Sequence, residues 1–568
     1  MNPRSALEIL AMTTNASSSR KRAAALALAA MLAIPAAQAA TITVTTVDDA
    51  IPPATDGECS LREALANASD DAATYPDCAA GTGNDKITFV SALFRPISQY
   101  TATIHLSGML EAGKDTGTKH ALQIRPPSST GVARRVRLVA STTSPHRVMH
   151  VRAAVATFEL ERISIEGGGQ TSGNGAGILL ACNDAIFRDV SFIGNQTATG
   201  VGGGLYQADG EGVLQIYGVR FEGNTALTGG AISLNNVRAH FVTIQGSQFV
   251  DNNAWAGRGG AIAFRVQPGL SPEAQPPKLN ISGSIFDDNH ASIEGGAIYI
   301  TSGEDGANQA FIANINNNRF SANDANNGGA LSVRGTPHNT LSTLILNRNS
   351  FIANEAGNGG ALRTADLRLT LADNLFSGNA AEVRGGALYH LLSSETHQID
   401  GEMRGNTFHQ QHLTGSDPLR NGRTLWLQID STQSPRWVML GNLFAPAIDL
   451  PPDLEECVRA GSTLVPTSWD NLSPDAACLW HNPGNDILAD PMVATSASGH
   501  ALHPLQVLPQ SGSPAIDGWP TGACTSHMDL LGNPRPLDGD GDGEAHCDIG
   551  AFELSAAGTD LIFADGFE

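Results

Sequence analysis

Near the end of the chain, Asp538-Gly539-Asp540-Gly541-Asp542-Gly543 sets three carboxylates on alternate residues. This is the D-x-D-x-D-G spacing of a calcium loop, in which alternate carboxylates converge on a hard cation. The twelfth position from Asp538 is Ile549, where an EF-hand places a bidentate Glu. Coordination therefore stays incomplete unless Asp548 or a backbone carbonyl joins it. Two readings stand: calcium held by Asp538, Asp540 and Asp542, or a solvated acidic turn. Other groups are candidates for polysaccharide chemistry. Asp366 and Asp373 could serve as the paired carboxylates of a hydrolase. Arg363 and Arg368 could serve as the cationic base of a lyase. Nothing in their spacing separates them from ordinary surface charges. His409 and His412 read as surface or structural groups. G-x-S-x-G, P-loop, H-E-x-x-H and C-x-x-C motifs are all absent from the sequence. No catalytic residue and no cofactor beyond calcium is assigned.

The elements that must position these groups are set by a repeat. Phe192, Phe221, Phe249, Phe286, Phe320, Phe351 and Phe376 are each followed three residues later by Asn195, Asn224, Asn252, Asn289, Asn323, Asn354 and Asn379. A Gly pair and an apolar residue come next each time, as in Gly295-Gly296-Ala297-Ile298. A period near 30 residues marks stacked units that cannot bury an apolar face alone. The units hold short alternating runs such as LNISGSIF (279–286) and no run with helical periodicity. The expected architecture is all-β: a right-handed, single-stranded parallel β-helix, one coil per unit. Its coils should stack at about 4.8 Å. The Phe rings should pile up inside. The Asn side chains should form a ladder at a corner, where their amides also tolerate a left-handed backbone. The Gly pairs should allow a sharp corner. Gln267 to Lys278 and Gly303 to Asn308 should loop out.

The F-x-x-N … G-G-A-[IL] pattern resembles the repeat of the polymorphic outer-membrane protein family, whose passenger domains are surface-exposed β-helices. The resemblance covers roughly 192–388. It implies a secreted or outer-surface protein and no enzyme. Before the repeat, Ser60 and Glu63 form a capping box for a short helix whose apolar face is Leu61, Ala64, Leu65 and Ala68. Such a helix would hide the open end of a solenoid. CSLREAL (59–65), with TVTTVDD before it and Cys78 after it, resembles the CSLREA domain that opens secreted β-helical proteins. Ser513-Pro514-Ala515-Ile516-Asp517-Gly518, then Cys524, Asp529, Arg535-Pro536 and Cys547-Asp548-Ile549-Gly550-Ala551-Phe552-Glu553, resemble the choice-of-anchor Q domain. That likeness implies C-terminal capping or sorting, and the last residues resemble a short terminal sorting tag.

Residues 1–39 read as a secretory signal: basic Arg20-Lys21-Arg22, an apolar Ala23 to Pro35, and Ala37-Gln38-Ala39 for cleavage. Export places the cysteines in an oxidising compartment. Proximity suggests Cys59 with Cys78, Cys457 with Cys478, and Cys524 with Cys547, leaving Cys182 as a small buried residue. With 56 Asp+Glu against 34 Lys+Arg, the chain is a poor ligand for nucleic acid or anionic lipid. No later stretch is long and apolar enough for a membrane-spanning helix. Too little chain follows 446 for a membrane barrel of its own.

The expected organisation is a signal (1–39), an N-terminal cap (40–100), irregular first coils (101–191), the repeat β-helix (192–446), a disulfide-bearing C-terminal cap (447–553) and a tail (554–568). The expected function is non-enzymatic: a monomeric adhesin or surface-structural protein with a protein or glycan ligand. The alternative is a polysaccharide lyase or glycoside hydrolase working in a groove along the helix.

Overall fold

The computed structural model describes residues 39–555, except 54, 95–99, 129–132, 171, 208–211, 238–240, 267–274, 303–308, 337–341, 394–398, 417–420, 431–435, 447–453, 462–464, 481–484, 520–523 and 525. The expected leader, most of the expected tail and both expected loop-outs lie wholly or largely outside the described residues.

The chain forms a parallel β-helix. A typical coil runs Lys278–Ser282, Ile285–Asp287, His290–Glu294 and Ile298–Thr301. Each strand pairs in parallel with its counterpart one coil on, as Phe249 with Phe286 and Phe286 with Phe320. Four sheets result: a long face and a Phe face of 14 strands each, a Gly face of 12 and a short face of 9. Alternation along each strand sends one set of side chains inward. Leu279, Ile281, Phe286, Ile298 and Ile300 are all fully or almost fully buried. Inside, the rings of Phe192, Phe221, Phe249, Phe286, Phe320, Phe351, Phe376, Phe408 and Phe444 form one continuous stack. Successive centroids lie 4.6–5.1 Å apart and the planes tilt by no more than 12°.

The corners explain the other repeated residues. Asn323 Nδ2 donates to the Phe286 carbonyl (3.0 Å) and to Asn354 Oδ1 (2.9 Å). Its Oδ1 accepts from the backbone N–H (3.1 Å) and Nδ2 (2.9 Å) of Asn289. The same pattern links Asn195 through Asn379, and Gln411 closes the row. The left-handed residue is not the ladder Asn. It is the one before it: Asp251, Asp288, Ala322 and Ala353 have φ of 52–55°. The Asn is then free to point inward, where its amide satisfies buried backbone. At the Gly corner, Gly295 has φ +66°, and a Cβ on Gly296 would stand 2.1 Å from the Gly329 carbonyl oxygen.

The ends are closed differently. At the start, helix α1 (Leu61–Asp70) has its capping box formed, and Leu61, Ala64, Leu65 and Ala68 are buried. Arg62 fixes it to the first coil by an ion pair with buried Asp49 (2.7 Å) and bonds to the Gly108 and Met109 carbonyls. Cys59 and Cys78 are joined there. At the far end the coils continue past 446 to Cys457–Gly461, Val465–Trp469 and Ile487–Leu488. A disulfide joins Cys457 to Cys478, and Trp480 is buried beside it.

The chain then turns back along the Phe face as a strap. It contains the antiparallel hairpin Val493–Ala497 with Leu505–Pro509 and the disulfide Cys524–Cys547. His503 bonds to Ser350 Oγ (2.8 Å) and Asn317 Oδ1 (2.9 Å). Trp519 and Ile549 pack on Leu443 and Leu472, while Leu530 and Phe552 pack on Leu375. The outward residues beside each Phe match this cover. In open coils they are partly exposed, whether charged as Arg220 and Glu222 or apolar as Ile193 and Val250. Under the strap they become Leu375 and Ser377, Thr407 and His409, Leu443 and Ala445, all buried.

Candidate functional site

Three features carry candidate chemistry. In the acidic turn, Asp517, Asp538 and Asp540 bring carboxylate oxygens within 4.8 Å of one another. Asp542 is outside that group, and its carboxylate accepts from the Glu544 N–H (2.8 Å). Asp517 comes from the strap's Ser513 to Gly518 stretch, and no spacing rule points to it. The chain's own amides already address these carboxylates. Asp517 Oδ2 accepts from the N–H groups of Gly539 and Asp540 (2.9 and 2.8 Å), and its Oδ1 accepts from His546 (3.2 Å). Asp538 accepts from Gly541 and Gly543 (2.6 and 3.0 Å). These residues could hold a hard cation, and they also make a turn that is complete without one.

The carboxylates considered for hydrolysis do not converge. Asp366 and Asp373 sit at opposite ends of the strand Arg368–Ala372. Seven residues of extended chain separate them by roughly 20 Å, far beyond the spacing two-carboxylate hydrolysis requires. Asp366 accepts from the N–H and Oγ of Ser393, and Asp373 pairs with buried Arg535 (3.3 Å). Arg363 pairs with Glu294 (3.0 Å), while Arg368 is exposed at its strand start. His409 is buried against Ser377 (2.9 Å), and burial holds its pKa below the usual histidine value. Cys182 is buried, which pushes its thiol up to about 12 and leaves it inert.

The third feature is the corner between the short face and the Gly face. Its floor is the row of Gly pairs, all buried. One wall is the column Arg258, Glu294, Asn327, Asn358, Arg384 and Asn421, in register from coil to coil. The other is the outward row Tyr299, Ser332, Arg363, Tyr389 and Trp426. In its first half, Glu294 pairs with both Arg258 (2.9 Å) and Arg363 (3.0 Å), and the Arg258 guanidinium lies over the Tyr299 ring (5.3 Å). In its second half, the Arg384 guanidinium lies over Trp426 (4.5 Å).

Sequence reasoning missed a second carboxamide ladder. Asn318, Asn349, Asn374, Asn406, Asn442 and Asn471 link through Nδ2 to Oδ1 bonds of 2.8–3.0 Å, two residues before each Phe or its counterpart. The available signal was N-x-F, the first half of N-x-F-x-x-N. Earlier coils break it with Ser247 and Ser284, whose hydroxyls take the same place.

No curated protein and no solved structure matches this chain. Residues 283–301, one Phe, its ladder Asn and the Gly pair that follows, match the family model of the Chlamydia polymorphic membrane protein repeat.

Proposed function

We propose that this chain is a surface-exposed, non-enzymatic, adhesin-like β-helix. The carrying observation is the scaffold itself. The matched repeat belongs to an outer-membrane-associated family, and its Phe stack and Asn ladder run unbroken through coil after coil. The disulfides support an extracytoplasmic location. Asp366, Asp373 and Arg363, first considered for catalysis, are engaged in holding coils and strap together, which supports a binding role over a catalytic one. Export would use residues 1–39. The C-terminal region and its tail would serve capping and sorting.

Cell fractionation and protease treatment of intact cells test location. The full chain should fractionate with the envelope or medium and be cut from outside. Purified full-length protein should then bind cells or a coated surface in a saturable manner. Recovery in the cytosol, or no saturable attachment, would reject the reading.

A further inference from the structure

We propose that the second half of the Gly-floored corner, around Arg384, Trp426 and Tyr389, binds an anionic glycan. The ligand is a pyranose chain carrying carboxylate or sulfate groups. This names a ligand class for the adhesin-like reading and rests on it.

The two halves of the corner differ in their ion pairing. In the first, Arg258 and Arg363 share the carboxylate of Glu294. In the second, Arg384 makes no ion pair among the described residues. Its guanidinium is held against Trp426, and Arg384 Nε and Trp426 Nε1 are both buried donors without a hydrogen-bond partner. Unpartnered Nε groups occur at other buried arginines of this chain, Arg363 included, but Arg384 alone in the corner combines one with an unpaired guanidinium held against an unpartnered indole N–H, which leaves a place for an acceptor from outside the chain. The acceptor should be anionic, because an Arg already desolvated by an aromatic ring gains most from a charged, bidentate partner. This local demand runs against a chain whose net charge is −22.

The neighbours favour a sugar. Tyr389 and Trp426 face outward in register on successive coils, both half-buried. They offer aromatic surface to the C–H face of a pyranose ring. The Tyr389 hydroxyl donates weakly to Gln428 Oε1 (3.4 Å) and keeps its lone pairs for ring hydroxyls. The row continues from coil to coil at about 4.8 Å, so a chain polymer can lie along it.

The test uses the immobilised full-length protein and four probes: a galacturonate hexamer, a heparin hexasaccharide, maltohexaose and a glutamate hexapeptide. At least one anionic sugar should bind, more weakly as salt rises. Binding of galacturonate identifies a carboxylate ligand, and binding of heparin alone a sulfate ligand. Arg384→Gln and Trp426→Leu should each weaken binding at least tenfold at unchanged melting temperature. Arg384→Lys should fall between. Arg334→Gln, an exposed arginine on the same face outside the corner, should have no effect. Three results overturn the proposal: no anionic sugar binds, maltohexaose or the peptide binds as tightly, or Arg384→Gln binds like wild type. Cell attachment separates the two readings. If Arg384→Gln attaches normally, this site falls and the adhesin reading stands. If the unaltered protein does not attach, the adhesin reading falls.

Discussion

Asn323 is bonded above, below and to the backbone of its neighbours, so removing its carboxamide strands several buried groups at once. Asn323→Ala should cost about 3–5 kcal/mol, since each orphaned buried group costs about 1–3 kcal/mol. Asn280→Ala, on the outward long face, should cost under about 0.5 kcal/mol. Urea midpoints of the two variants measure the difference. Calcium added to the full chain should leave the melting temperature unchanged, because backbone N–H groups already meet the carboxylates of Asp517 and Asp538. A saturable upward shift would show that the turn takes the ion. At this scale the first ladder and the Phe stack were legible because each recurs at one spacing. The second ladder was not, because Ser and Asn share its rungs. Asp517 was not, because only the folded strap carries it to Asp538.

Among elements, the Gly corners and the last coil carry the sharpest expectations. Gly296→Ala should unfold its corner or lower stability by several kcal/mol, because its Cβ would collide with a backbone carbonyl rather than a movable side chain. Gly378→Ala, with φ +62° and open space around it, should cost only about 1 kcal/mol. Thermal melts of the two variants test this order. Replacing Cys457 and Cys478 with Ser should cost about 3 kcal/mol, the loop-closure value for a ring of this size. Limited proteolysis should then cut the last coil first. Helix α1 could be read from Ser60 and Glu63 because a capping box is local. The strap's position could not. The residues it covers, such as Leu375 and Ala445, do not stand out from Ile193, Val250 and Ile285 at the same positions in open coils.

Across the whole molecule, the strap is held by a buried cluster in which one cation faces several acids. Arg535 pairs with Glu553 (2.9 Å) and Asp373 (3.3 Å), and Asp529 and Asp548 lie buried beside it. Burial outweighs the pull of Arg535. It raises Asp529, lifts Asp548 to about 7 and lifts Glu553 to about 8. Both carboxyls therefore hold protons more tightly folded than unfolded. Their stabilisation is complete below about pH 4 and is lost as pH rises through 7 and 8. Protection factors, corrected for the intrinsic exchange rate at each pH, should accordingly be higher at pH 5 than at pH 9 in residues 526–555 and unchanged in the Phe stack. Equal protection at both values would show that the cluster does not titrate in this range. The strap also touches fixed coils, from Asn317 through Leu375 to Leu472. It thereby works as a length gauge. An extra coil spliced in before Phe286 would only lengthen the rod, whereas one spliced in between Phe351 and Phe408 would throw every downstream contact out of step by a full rung. Growth and shrinkage of this molecule are therefore open on its N-terminal side and locked beneath its strap.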